Sequence, residues 1–247
     1  MNQSTYYRIG RWSAWLCTIC LIVGAVLFGP WLSAMEGAQQ GLAPAEAAAV
    51  RFNHTYDGLA RVFVFQLLFL GALWAFVPIS LALRAHVGRN PSTVFMERAF
   101  LGAAILGSVT QALDLAITVA ASNLVPELTA SELPAVALTY TPLREGAALS
   151  ISAAYLLMSV GFILAGRAVF ATGKFSRPWA YLTLVLAGVA ALSFPANILG
   201  MPDLGRVSLL GVIFGSAVWC VWLGLMLRAA ERMPEEKPSP AAAVVGS

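Results

Sequence analysis

The sequence predicts an all-α fold, a polytopic membrane bundle of six transmembrane helices with both termini cytoplasmic. Three observations predict it. Hydrophobic residues make up 59% of the 247 positions and charged residues only 11%, with a mean hydropathy of +0.78, which excludes an ordinary soluble domain. Six stretches, near 11–33, 59–84, 97–121, 147–170, 178–199 and 207–230, reach the roughly 20 apolar residues that cross a hydrocarbon core of about 30 Å. Finally, the basic residues sort by side. With the N-terminus inside, Arg8, Arg11, Arg84, Arg89, Arg98, Arg167, Lys174, Arg177, Arg228, Arg232 and Lys237 lie on the cytoplasmic side. Arg51, Arg61, Arg144 and Arg206 lie outside, an 11 to 4 split of the sign that the positive-inside rule expects.

The first helix follows a short polar start with Arg8 and Arg11. Its apolar run is longer than the 7–15 residues of a signal-peptide core, so it is expected to be retained. Trp12, Trp15 and Trp31 stand at its ends as interfacial anchors. The segment from Ser33 to Gly58 reads as extracytoplasmic, and Pro44 followed by AEAAAVRF predicts a short helix lying on the membrane. Pro78 should kink the second helix near the inside. The three helices running inward end as LALRA, LAGRA and LMLRA, each an apolar helix closed by an interfacial arginine. Their unequal spacing fits three independent stop signals better than a duplicated unit. Residues 1–232 then form one transmembrane domain, and the Pro- and Ala-rich stretch 233–247 reads as a disordered cytoplasmic tail.

The third helix, Glu97 to Ser122, carries one carboxylate, Asp114, well inside an apolar run. Ala99, Ala103 and Gly107 recur every four positions on one face that continues through Gln111 to Asp114. Small residues at that spacing let membrane helices approach closely, where lipid offers no hydrophobic reward for association. Gly211 and Gly215 make a second such face on the sixth helix. An ionised carboxylate at membrane depth costs at least ~2.5 kcal/mol, so Asp114 should be neutral, paired or wetted.

Gln66 lies seven residues into helix two, and Asp114 seven residues before the end of helix three, so the two can share a layer near the outer surface. Tyr155, Asn197 and Pro195 fall in the same outer third, Thr118 lies one turn beyond Asp114, and Arg61 is the nearest cation in depth. Together they sketch an outward-opening polar pocket in which Asp114 would bind a cation, a proton or an amine, with Gln66, Gln111, Thr118, Tyr155, Asn197 and Arg61 as candidate ligand contacts. The structural alternative pairs Asp114 with Arg61, or bonds it to Thr110, Gln111 and a neighbouring helix.

Other chemistry finds little support. His54 and His86 are the only histidines and are placed on opposite sides of the membrane, which argues against haem held by two histidines. No buried lysine is available for a retinal Schiff base. Asn53, His54 and Asp57 are a thin metal candidate, and no metal site is assigned. Cys17 and Cys20 form a C-x-x-C pair inside helix one, either a redox pair or small packing residues, and with Cys220 they offer no disulfide framework. No nucleophile stands with a partnered base, so no catalytic residue is assigned. The net charge of +3 is divided between the two sides, and no nucleic-acid surface is expected.

In the stretches AEAAAVRFNHTYDGLARVFVFQLLF (45–69) and GKFSRPWAYLTLVLAGVAAL (173–192), the chain resembles a broad group of uncharacterised bacterial six-helix membrane proteins, a domain of unknown function. The likeness is one of composition and layout. It implies a fold and a bacterial cytoplasmic membrane, but no activity, cofactor or site residue. The first functional reading is accordingly a non-enzymatic accessory or scaffold subunit, in contact with lipid and with other membrane subunits through a small-residue face. The second is a small-ligand or cation binding or transport protein using the Asp114 pocket. The third is an enzyme acting on lipid or quinone.

Overall fold

The computed structural model describes residues 2–129 and 131–232, so the expected tail at 233–247 lies outside the described residues. The described chain is helical almost throughout: α1 (Gln3–Gln39), α2 (Pro44–Asp57), α3 (Leu59–Val87), α4 (Pro91–Leu124), a 3-10 turn (Val125–Glu127), α5 (Leu133–Thr172), α6 (Arg177–Ile198) and α7 (Pro202–Glu231). Six of these, all but α2 and the turn, are long and apolar enough to cross a membrane. The protein is an integral membrane protein of the all-α class.

Local sequence sets the ends of these helices. The Asn2 side chain accepts from the Thr5 amide at the start of α1. At the start of α4, Asn90 and Thr93 cap each other reciprocally ahead of Pro91, an arrangement that satisfies two otherwise orphaned amides. Gly173 stops α5 at φ 64°, a left-handed conformation that costs glycine nothing. Several helices outrun the apolar stretches that announced them. The largest difference is α5, which begins at Leu133 and runs for 40 residues, where hydropathy alone placed a start near 147. Between that start and the main apolar run, Thr139, Tyr140, Thr141, Pro142, Arg144 and Glu145 interrupt the hydrophobic residues, so a hydrophobicity window does not detect this part of the helix.

Each spanning helix packs against its neighbours in sequence, α1 on α3, α3 on α4, α4 on α5, α5 on α6 and α6 on α7, and α7 closes the ring on α1. Phe76, Phe100, Phe162, Trp179 and Trp219, one from each spanning helix except α1, fill the centre. Phe76 and Phe100 stack at 5.3 Å, Trp179 and Trp219 at 5.0 Å, and Phe162 meets Trp219 edge-on at 5.4 Å. The buried Trp219 indole donates to Thr183 Oγ1 at 2.8 Å, as an aromatic with a polar handle must when buried. Ser159 Oγ and Ser208 Oγ donate to the carbonyls of Ala187 and Val189 on α6, which ties α5 and α7 to it without leaving a hydroxyl unsatisfied in hydrocarbon.

The small-residue faces are consumed inside the chain. A Cβ on Gly107 would run into Leu73 of α3, one on Gly211 would come within 2.7 Å of Val189 Cγ1 on α6, and one on Gly215 would run into Leu186 of α6. Ala99 and Ala103 are buried. The expectation that one of these faces waits for another chain is therefore replaced by packing of α4 on α3 and of α7 on α6. The tightest approach is elsewhere, at Gly10, where a Cβ would strike the Cβ of Ala82 across the α1–α3 seam. Neither atom belongs to a flexible side chain, so Gly10→Ala should separate the helices and lower stability by about 1–3 kcal/mol. Gly188→Ala, whose added Cβ meets nothing within 4 Å, should leave stability unchanged or raise it. Thermal unfolding of both variants in one detergent checks the contrast.

Candidate functional site

Polar groups gather at the end of the bundle away from residue 2 and Glu231. α1 contributes Phe28, Trp31, Leu32 and Met35; α2 contributes Arg51 and Thr55; α3 contributes Val62, Phe65 and Gln66. Thr110, Gln111 and Asp114 come from α4, and Arg144, Glu145, Ala147 and Ile151 from α5. Together they enclose a cavity of about 340 Å³, within the size range of small-molecule sites. α6 and α7 take no part. α2 lies against α1, α4 and α5 at this end, and the turn that joins it to α3 seats Gly58 on the Trp31 ring, where a Cβ would lie 2.8 Å from the indole.

Asp114 is the hub. Gln66 Nε2 donates to its Oδ2 at 2.8 Å, and Arg144 Nε lies 3.6 Å from its Oδ1. Arg144 also donates from Nη1 to Thr55 Oγ1 at 3.2 Å, and the same hydroxyl donates to the Arg51 carbonyl at 2.8 Å. A charged thread therefore runs from α4 through α5 to α2 and ties α2 to the bundle. Because a carboxylate only accepts, Asp114 fixes the Gln66 amide with its nitrogen toward the carboxylate, and leaves Gln66 Oε1 fully buried without a hydrogen-bond partner.

The site differs from its sequence expectation in one decisive respect. Asp114 pairs with Arg144 and not with Arg61, which is exposed and does not line the cavity. Arg144 looked like a loop residue because α5 was expected to begin after it. The N-terminal extension of α5 instead places it on the helix, within reach of Asp114. The Arg144–Glu145 pair directly before the apolar run was the signal available in the sequence.

Of the seven candidate contacts, the structure gathers Gln66, Gln111 and Asp114. Thr118 lies beside the cavity in a small void of about 20 Å³ that shares Thr55 and Arg144 with it, and its buried Oγ1 is unpartnered. Tyr155 sits deeper, edge-on to Phe69 at 6.1 Å and lining a separate void with Ser216. Asn197 is exposed and donates to Ser152 Oγ and the Ser193 carbonyl, joining α6 to α5. Arg51, Thr55, Arg144 and Glu145, with the aromatic wall of Phe28, Trp31 and Phe65, were not anticipated as site residues.

The other candidates do not line the cavity. Cys17 on α1 and Cys220 on α7 are fully buried, and all three thiols are free. His54 stacks on Trp31 at 4.8 Å, with Nε2 3.2 Å from the Trp31 carbonyl. His86 lies at the opposite end, 3.0 Å from Tyr7 Oη. Among the described residues no three His, Cys, Asp or Glu side chains converge on a common point.

Removing one member of the Asp114–Arg144 pair strands the other at membrane depth. Arg144→Gln and Asp114→Asn should each lower stability by about 1–3 kcal/mol. The double variant should lose less than the sum, because the second substitution has no partner left to strand. Arg61→Gln should be silent. A double-mutant cycle read by thermal unfolding checks both statements.

Comparison with known proteins returns nothing to set beside this geometry: no family model, no curated protein and no solved structure matches the chain.

Proposed function

We propose that this protein is a non-catalytic membrane receptor or carrier subunit that binds a small molecule in the cavity bounded by α1, α2, α3, α4 and α5. One observation carries the reading. A cavity of about 340 Å³, within the size range of small-molecule sites, is lined by the polar side chains of Gln66, Gln111, Asp114 and Arg144 together with the aromatic rings of Phe28, Trp31 and Phe65. Asp114 is committed to Arg144 and Gln66, which argues against a simple cation site. The aromatic cluster fills the centre of the ring, which supports binding over conduction. The scaffold reading loses its sequence basis, because the small-residue faces are covered from within.

The same proposal puts the chain in the cytoplasmic membrane of a bacterium, as its likeness to bacterial six-helix proteins implies. The basic residues cluster at the end that carries residue 2 and Glu231, so that end faces the cytoplasm and the cavity opens outward. A membrane-impermeant maleimide should label Glu132→Cys in intact cells and Arg89→Cys only after the membrane is opened. The reverse pattern would invert the topology.

Native mass measurement after mild extraction tests the binding reading. The expected result is a chain carrying a small molecule that is lost in Asp114→Asn. A chain carrying a stoichiometric second subunit and no small molecule would restore the scaffold reading.

A further inference from the structure

We infer that the seam between α5 and α6, on the outer surface of the bundle and apart from the cavity, holds one anionic phospholipid. On α5, Ile163, Arg167 and Phe170 are exposed at spacings of four and three, which puts them on one helix face. On α6, Arg177, Tyr181 and Val185 repeat the pattern at spacings of four. The two faces join where Phe170 meets Tyr181, with ring centroids 5.1 Å apart. Those rings are 40% and 60% exposed, an aromatic pair placed as at a membrane interface.

Charge then selects the head. Arg167 and Arg177 flank the rings, and neither meets a carboxylate among the described residues. The described carboxylates at this end, Glu97 and Glu231, are committed to Arg84 and Arg11 on other seams. Arg167 stands five residues before the end of a spanning helix, so its side chain must carry the charge out to the interface. Ser176 precedes α6 without capping it through its side chain, and the uncapped helix start adds positive potential beside Arg177. A basic pocket between membrane helices of this kind suits a phosphate head. A zwitterionic head would bring an ammonium that finds no carboxylate. Ile163 and Val185 continue the two faces as apolar surface for acyl chains, which free phosphate would leave uncovered. The bilayer is the source this geometry favours.

The test counts lipids on the full-length protein. Protein stripped of lipid in mild detergent is titrated with dioleoylphosphatidylglycerol, dioleoylphosphatidylethanolamine or glycerol phosphate, and bound molecules are read by native mass measurement. Phosphatidylglycerol should fill one site ahead of any further binding, and more tightly than phosphatidylethanolamine. Arg167→Gln and Arg177→Gln should each weaken that first site about fivefold and together about thirtyfold. Arg167→Lys with Arg177→Lys, which keeps both charges, should retain most of it. Arg228→Gln, which removes an exposed charge from the same end, should leave it intact. A loss in Arg228→Gln equal to that in either single variant would reduce the site to a diffuse positive surface and overturn it. Equal binding of phosphatidylethanolamine would overturn the anionic class. Glycerol phosphate bound as tightly as the lipid would overturn the membrane source. If no phosphatidylglycerol binds ahead of the rest, the proposal ends.

Discussion

A backbone in hydrocarbon has no water to satisfy its amides and carbonyls, and every other feature of this fold follows from that constraint. It makes each crossing a helix, and it removes the hydrophobic reward that would otherwise drive helices together. Association then rests on close contact. Gly10 against Ala82, Gly107 against Leu73, and Gly211 and Gly215 against α6 let backbones and side chains meet at distances that larger residues would forbid. The five central aromatics supply the contact area.

The same constraint explains the polar end. A lone carboxylate in α4 would be expensive, and the structure answers it with the Gln66 amide and the Arg144 guanidinium. Arg144 is available because α5 continues as a helix for more than two turns beyond its apolar part. That extension also reaches α2, through Thr55. The ion pair, the position of α2 and the cavity are thus one device. The cavity exists where α1, α3, α4 and α5 diverge around the pair and the aromatic filling of the ring does not reach.

Ion pairs divide the molecule in the way its loops do. Arg11 with Glu231 and Arg84 with Glu97 lie at one end, and Arg206 with Glu36 and Arg144 with Asp114 at the other. The first two join α1 to α7 and α3 to α4, fastening seams of the ring where it meets the interface. Pairs at such partly exposed positions are worth about 1 kcal/mol or less. They locate helix ends more than they hold the bundle. Asp114–Arg144 differs because Gln66 and Thr55 extend it into a network, and networks hold geometry that isolated pairs do not.

Hydropathy determined the membrane class and the six long apolar helices, and helix-start chemistry the helix after Pro44, because both are local properties. Charge alone placed Asp114 among the residues that need a partner, and equal depth put Gln66 beside it. Only the tertiary structure decided that the partner is Arg144, that Tyr155 and Asn197 serve other seams, and that the small-residue faces close on their own chain. The reason is physical. A sequence shows how deep a residue lies along its helix, but not how that helix is rotated about its axis, nor how far it continues past its apolar core. Those two quantities come from packing, and they decide which polar groups meet.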